Sequence, residues 1–283
     1  CRACNSTNIH EVLSLGNSPL ANNLLDKVDE CNTYPLALNL CHDCYNAQLS
    51  YVVPADEMFK NYLYVSSTTK SFRNHFKDAA EKYISEFNLD NNSFVIDIGS
   101  NDGIGLKPFI KKGIKVLGID PASNVCEIAI KNGVPTINDY FNDKIANDIV
   151  KQSKADVVLA SNVFAHADDL ESIAKNAFKV LKDDGCFIIE VQYLLDTIND
   201  GTFDNIYHEH VNYWSVTSLN NFFNRLNYSI AKVEHINTHG GSIRVYVKRE
   251  GTLDNSLEIF LQEESNQGLT MVETYQEFGQ KVK

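Results

Sequence analysis

Apolar positions gather in short unbroken runs through the middle of the chain, and helical spacing separates one run from the next. Ser93-Phe94-Val95-Ile96-Asp97-Ile98 is the first, followed by Val116-Leu117-Gly118-Ile119-Asp120 and Pro135-Thr136-Ile137. Asp156-Val157-Val158-Leu159-Ala160 and Cys186-Phe187-Ile188-Ile189-Glu190-Val191 complete the series. Runs of this length bounded by turn residues suit strands buried on both faces. Helices are expected over Leu106 to Lys111 and from Asn124 to Lys131. This alternation predicts βαβ units, a parallel sheet covered by helices, and hence an α/β fold. Ser229 to Val233 and Ser242 to Val247 predict a closing antiparallel pair.

The flanks are patterned differently. Residues 1–54 show no regular period and read as an irregular module. From Asp56 to about Phe87 the spacing of Phe76, Ala79, Ala80, Tyr83 and Ile84 is helical, and Leu257 to Val282 reads as one further helical segment. The expected organisation is a module over 1–54, a connector over 55–90, a main domain over 91–250 and a last region over 251–283.

A net charge of -12 argues against a broad nucleic-acid or anionic-membrane surface, because both need clustered lysine and arginine. No apolar run is long enough to span a bilayer, so the expected location is the cytoplasm. A reducing compartment favours metal over disulfide for paired cysteines.

Two such pairs exist. Cys1-Arg2-Ala3-Cys4 and Cys41-His42-Asp43-Cys44 offer four thiolates, the number a closed tetrahedral zinc site requires. Four sulfur ligands leave zinc no open position, so the expected role is structural; His10 or His42 could replace one ligand. Cys126 and Cys186 fall on a predicted helix and strand and read as core residues.

The second signal is Asp97-Ile98-Gly99-Ser100-Asn101-Asp102-Gly103, directly after the first strand. Glycines let backbone turn tightly and approach a ligand closely. The spacing differs from the Gly-x-Gly-x-x-Gly of dinucleotide sites and resembles the first motif of S-adenosylmethionine-dependent methyltransferases. Asp120, ending the second strand, could accept both ribose hydroxyls. Asp139 and Phe141 follow the third strand, where adenine is commonly held, and Asn162 and His166 follow the fourth.

The third signal is Tyr207-His208-Glu209-His210, beside the only tryptophan, Trp214. Histidine suits proton transfer near neutral pH. An extended run would set Tyr207 and Glu209 on one face, with His208 and His210 on the other. Metal binding by the His-x-His pair and a purely structural polar cluster are the plain alternatives. Arg244, in His239-Gly240-Gly241-Ser242-Ile243-Arg244, could meet a phosphate or simply an ion-pair partner.

In this order the motifs, with Gly16 to Asn22 (Gly-x-x-Pro-Leu-Ala-Asn) between the cysteine pairs, resemble the bacterial sugar C-methyltransferases, which act on nucleotide-linked keto-deoxysugars. The resemblance implies a Rossmann-like class I methyltransferase sheet, a small zinc-binding module, and S-adenosylmethionine and structural zinc as cofactors. Family members continue with a further α/β region, so it also implies that the C-terminal region here is incomplete. It assigns His210 as base, Tyr207 and Glu209 as orienting groups and His166 as a supporting histidine. Asp97, Gly99, Asn101, Asp102, Gly103, Asp120, Asp139, Phe141 and Asn162 would hold the cofactor. Tyr62 or Tyr64, with His208 and Arg244, would meet the sugar nucleotide. An O- or N-methyltransferase and a non-catalytic zinc-containing sugar-nucleotide binder are the alternatives.

Overall fold

The computed structural model describes residues 1–22, 31–54, 57–58, 65–238 and 240–282. The strands of the α/β core are β4 (Phe94–Ile98), β5 (Lys115–Asp120), β6 (Thr136–Asn138), β7 (Ala155–Ser161), β8 (Leu181–Gln192), β10 (Ser229–Ile236) and β11 (Ser242–Lys248), in the spatial order β10-β11-β8-β7-β4-β5-β6. The pairs β4–β5, β4–β7 and β5–β6 are parallel, and β10–β11 is antiparallel, as the apolar runs predict. A smaller sheet, β1 (Ile9–Ser18), β2 (Tyr34–Cys41), β3 (Ala47–Leu49) and β9 (Asn212–Tyr213), is joined in that order.

Two compact units partition the chain, and each draws on separated segments. One comprises Cys1–Pro54, Phe164–Leu170 and Glu190–Lys283; the other comprises Ala55–Val163 and Glu171–Ile189.

In the second unit, β4 is buried along its whole length, which is why its sequence lacks alternation. Helix α1 (Lys70–Glu86) buries Ala79, Ala80 and Tyr83, and Thr69 caps it by accepting from the Phe72 N–H. Helices α2 (Lys107–Lys111), α3 (Ser123–Lys131), α4 (Asp143–Val150) and α5 (Leu170–Val180) fall between the strands. Helix α4 turns Ile145, Ala146 and Ile149 inward, the spacing of one apolar stripe.

In the first unit, residues 1–54 are more regular than their sequence suggests. Among the described residues three strands form there, and their pattern is hidden because the β1–β2 register shifts between Glu11 and Leu13 and again between Ser14 and Asn17. Each extra residue at such a bulge resets the inward–outward alternation. Helix α6 (Leu194–Asp200) follows β8, and helix α7 (Val216–Arg225) buries Leu219, Phe222 and Phe223. The start of α7 is closed twice: Ser215 and Ser218 form a capping box, and the buried Glu264 carboxylate accepts from the N–H groups of Val216 (2.6 Å) and Thr217 (2.8 Å). The single helix expected near the end is instead two, α8 (Ser256–Asn266) and α9 (Val272–Val282). Gly268 separates them with φ +67°, a left-handed conformation that no helix continues through.

Candidate active site and metal centre

The turn after β4 runs through left-handed backbone at alternate residues: Gly99 has φ +68°, Asn101 +49° and Gly103 +76°. A side chain at 99 would collide with Val163, and one at 103 with Val134, so glycine is required on both conformational and steric grounds. Asn101 tolerates the conformation because its Oδ1 accepts from the N–H groups of Asp102 (2.9 Å) and Ser66 (3.0 Å). Asn162, after β7, is left-handed too, with φ +58°.

Three acids converge on this turn. The Asp120 carboxylate accepts from the Asn101 N–H and the Ala122 N–H, both at 2.9 Å, which ties the ends of β4 and β5 together. Asp97 is buried, and burial followed by the nearby Asp120 charge pushes its carboxyl up to about 8. Asp102 is fully buried, and neither carboxylate oxygen has a partner among the described residues. Buried acceptors left open in this way call for a donor from a ligand. Around them, Phe141 is buried, and Asp139 accepts from the Tyr140 N–H at 2.8 Å. This cradle, with its bare glycine backbone and open carboxylates, fits a cofactor carrying an ammonium and ribose hydroxyls.

The four sulfurs of Cys1, Cys4, Cys41 and Cys44 lie within 4.8 Å of one another, with Cys1–Cys44 at 3.5 Å and Cys4–Cys41 at 3.6 Å. Four sulfurs about 2.3 Å from a tetrahedral zinc stand about 3.8 Å apart, so the set fits the ion. His10 and His42 instead pack edge-to-face on each other, with ring centres 4.4 Å apart. Neither belongs to the ligating group, and Cys126 and Cys186 are core residues.

Side chains from distant segments lock this knuckle to the rest of its unit. Arg225 donates to the Ala3 carbonyl at 3.0 Å, and Asn221 donates to the Cys44 carbonyl at 3.3 Å. Arg2 donates to Gln48 Oε1 (2.9 Å) and the Leu49 carbonyl (2.8 Å).

The Tyr207–His210 run is built onto that same framework. Its continuation, β9, pairs antiparallel with β3, setting Tyr213 opposite Ala47 and Asn212 opposite Gln48. The run itself is a turn rather than an extended segment, since the His210 N–H donates to the Tyr207 carbonyl at 3.0 Å. Tyr207 and His210 therefore meet on one side, correcting the alternation expected of a strand. The Tyr207 hydroxyl donates to His210 Nε2 at 3.1 Å, and His210 Nδ1–H donates to the Asn205 carbonyl at 2.9 Å. The carbonyl partner places a proton on Nδ1, so in the neutral imidazole the lone pair lies at Nε2, facing the Tyr207 hydroxyl.

His166 arrives from another part of the chain. Asn212 holds residues 164–167 by its N–H to the Ala165 carbonyl (3.0 Å) and its side-chain amide to the Ala167 carbonyl (2.8 Å). Trp214, fully buried, donates its indole N–H to the Phe164 carbonyl at 3.1 Å. Phe164, Trp214, Phe222 and Phe223 form one aromatic cluster with ring centres 5.0 to 6.1 Å apart. Such rings bury large apolar areas and resist displacement. The result is that His166 lies edge-on to His210 at 5.0 Å, its Nδ1–H donating to the Glu209 carbonyl at 2.8 Å.

Glu209 is buried, and burial raises its carboxyl above the usual range, partly offset by the Asn22 amide, which donates to Oε1 at 2.5 Å. Tyr207 is raised chiefly by burial and then by the Glu209 charge, which keeps its phenol protonated at neutral pH.

His208 is placed differently from its neighbours: its Nε2–H reaches the carbonyls of Tyr34 and Pro35, each at 3.3 Å, so it fastens the turn to β2. Arg244 is buried between two glutamates, donating to Glu190 at 3.1 Å and Glu234 at 3.4 Å. Tyr62, Tyr64 and His239 lie outside the described residues. Sequence reasoning missed Asn22, Asn205 and Asn212 as part of this centre. Only Asn22 carried a signal, as the last residue of the Gly16-to-Asn22 motif.

Comparison with known proteins accounts for both halves of this picture. Residues 1–59 match a family model described as a zinc binding domain, 71–233 a methyltransferase domain, and 237–283 a C-methyltransferase C-terminal domain. Along 98% of its length the chain is 31% identical to C-methyltransferase NovU of Streptomyces niveus, covering 68% of that protein. The chain belongs to the S-adenosylmethionine-dependent C-methyltransferase family.

This C-methyltransferase also resembles the ubiquinone biosynthesis O-methyltransferase of Methylobacterium nodulans, at 30% identity, over only 39% of the chain and 51% of that protein. Two solved structures share its fold. One is the PH0226 protein from Pyrococcus horikoshii OT3, with TM-score 0.52, 15% identity, 71% of this chain and all of that chain covered. The other is magnesium protoporphyrin IX methyltransferase from Synechocystis with bound SAH, with TM-score 0.50, 14% identity, and 63% and 83% covered. Among the described residues, no helix is long and apolar enough to cross a membrane.

Proposed function

We propose that this C-methyltransferase acts on a nucleotide-linked keto-deoxysugar, methylating the carbon beside the ketone, with His210 as the base. The observation that carries this reading is the anchored imidazole of His210, with Nδ1–H held by the Asn205 carbonyl and Nε2 facing the half-buried Tyr207 hydroxyl. A ketone acidifies the neighbouring C–H bond, and a neutral imidazole is a competent base near pH 7. Proton removal at His210 Nε2 leaves an enolate on the sugar, while the Asn205 carbonyl retains the Nδ1–H of the imidazolium. The carboxylate of Glu209, adjacent in the chain, would favour that cation. Tyr207, released from Nε2, donates to the developing oxyanion.

S-adenosylmethionine, when bound, supplies an electrophilic methyl on a positively charged sulfur. Asp97, Gly99, Asn101, Asp102, Gly103 and Asp120 would hold it, with Asp139, Phe141 and Asn162 around the adenine side. The four cysteines would hold zinc, which leaves no ligand position for substrate and so acts on structure. The substrate class rests on the motif order from Cys1 to Tyr246, and is supported by the NovU relationship along almost the whole chain.

The test is a panel of nucleotide-linked keto-deoxysugars incubated with labelled methyl donor. In the productive pair, His210→Asn should lower turnover by about 10² to 10⁴-fold, the usual weight of a general base. Affinity for S-adenosylmethionine should stay within about two-fold. Deuterium should wash out of the carbon beside the ketone without methyl donor in the parent and stay in the variant. Full turnover by His210→Asn would remove it as the base; methyl found on oxygen would overturn the carbon assignment.

A further inference from the structure

Glu209 is the acid within the Tyr207–His210 turn, and its two carboxylate oxygens are treated differently. Oε1 accepts the Asn22 amide at 2.5 Å, whereas Oε2 is buried with no partner among the described residues. Asn22 comes from the segment that follows β1 in the zinc-held sheet, while Glu209 lies 187 positions further on. Asn22 is itself exposed, so it gains little by hiding its own amide. A solvent-facing donor committed to a buried carboxylate orients that carboxylate, because water would serve the amide equally well.

We propose that Asn22 is a positioning residue: by holding Oε1, it turns Glu209 Oε2 toward a hydroxyl of the substrate. This rests on the keto-sugar reading for the identity of the hydroxyl, but the positioning itself does not depend on which polyol binds. A buried, unpaired carboxylate oxygen is costly alone and becomes favourable once a hydroxyl donates to it. The acceptor-only chemistry of Oε2 selects a donor, hence a hydroxyl-bearing ligand over an ether or a second ketone. The zinc-held sheet thereby contributes a polar contact to the centre as well as its backbone.

The groups that act on the Glu209 carboxylate are the Tyr207 phenol of its own turn and the Asn22 amide after β1, whereas His166 meets only the Glu209 backbone carbonyl; no ion pair with it occurs among the described residues. Removing the Asn22 donor takes away a bond that favours the charged form, so the Glu209 carboxyl becomes harder to ionise. An aspartate in its place adds a like charge and acts in the same direction more strongly.

Two measurements test this on the full chain loaded with zinc. In the first, glutamate labelled with ¹³C at the side-chain carboxyl is titrated by NMR, and the Glu209 signal is identified by its loss in Glu209→Gln. Its midpoint should rise by on the order of half a pH unit or more in Asn22→Ala, and further in Asn22→Asp. No substrate is needed, so this arm stands even if the keto-sugar panel yields none. An unchanged midpoint in both variants would overturn the proposal. In the second, with an accepted substrate, Asn22→Ala should lower kcat/KM about 10- to 100-fold, mostly through KM, and move the acid limb of the pH profile upward. In a Glu209→Gln background the same change should cost less than about two-fold. A full loss in both backgrounds would make Asn22 merely structural. Should Asn22→Ala fail to fold, the near-isosteric Asn22→Asp carries both arms.

Discussion

The turn after β4 and the Tyr207–His210 turn are built by opposite means. The first is almost entirely local. Its shape follows from left-handed residues at 99, 101 and 103, and its longer links are Asp120 gripping the Asn101 N–H and the Ser66 N–H donating to Asn101 Oδ1. The second is assembled from remote pieces. Asn22, residues 164–167, Asn205 and β3 all meet there, and little of its geometry belongs to the run itself. A cradle that must fit an invariant cofactor can be encoded in seven consecutive residues. A centre that must present a base, a phenol and a carboxylate to a substrate draws on a scaffold. The difference teaches where each is vulnerable: the cradle to single backbone changes, the proton-transfer turn to anything that loosens its distant supports.

Removing zinc is the sharpest way to separate them. Structural zinc contributes apparent folding free energy on the order of 10–16 kcal/mol in small domains at neutral pH. Cys41→Ser, or extraction with a chelator, should abolish methyl transfer and release amide-exchange protection over residues 34–49 and 207–214. Protection over residues 94–120 should fall far less, and S-adenosylmethionine should still bind. Equal loss of protection in both regions would erase the distinction drawn here.

A second effect, smaller, belongs to the cradle. The Asp97 carboxyl is raised in the folded chain to about 8, against about 4 when unfolded. Between those values the folded state holds more protons than the unfolded one, so this group makes stability fall as pH rises. Without cofactor, the melting temperature of the parent relative to Asp97→Asn should decline from about pH 4 to pH 8. A flat difference across that window would mean that Asp97 stays ionised, while the His210 centre should be unaffected either way.

The smallest expected effect tests one remote support. Trp214→Phe keeps most of the aromatic packing but removes the indole N–H bonded to the Phe164 carbonyl. Leaving that carbonyl unsatisfied should cost about 1–3 kcal/mol in denaturant unfolding. Turnover should fall more than stability alone explains, since residues 164–167 carry His166, and cofactor affinity should not move. A loss confined to stability would show that His166 is held well enough without the tryptophan.

Much of this was legible in the chain. Consecutive apolar residues bounded by turns marked β4, β5, β7 and β8, because strands buried on both faces favour such runs. The cysteine pairs marked the metal centre, because two thiolates with two residues between them can fold back on one ion. Where local pattern was broken, reading failed. The shifted register of β1 hid the small sheet, and Gly268 hid the division between α8 and α9. An extended run would set His208 and His210 on one face, yet one fastens backbone to β2 and the other faces Tyr207.

The sequence by itself determined the α/β alternation and the shape of the Asp97–Gly103 turn, since each depends on residues close together in the chain, and it marked the sulfur ligands because each Cys-x-x-Cys pair is a local motif. Only the tertiary structure decided that Tyr207–His210 is a turn carried on the zinc-held sheet, with His166 and Asn22 brought beside it. Those partners are joined by hydrogen bonds and ring contacts across 43 to 187 positions, and no local preference encodes a partner at that distance.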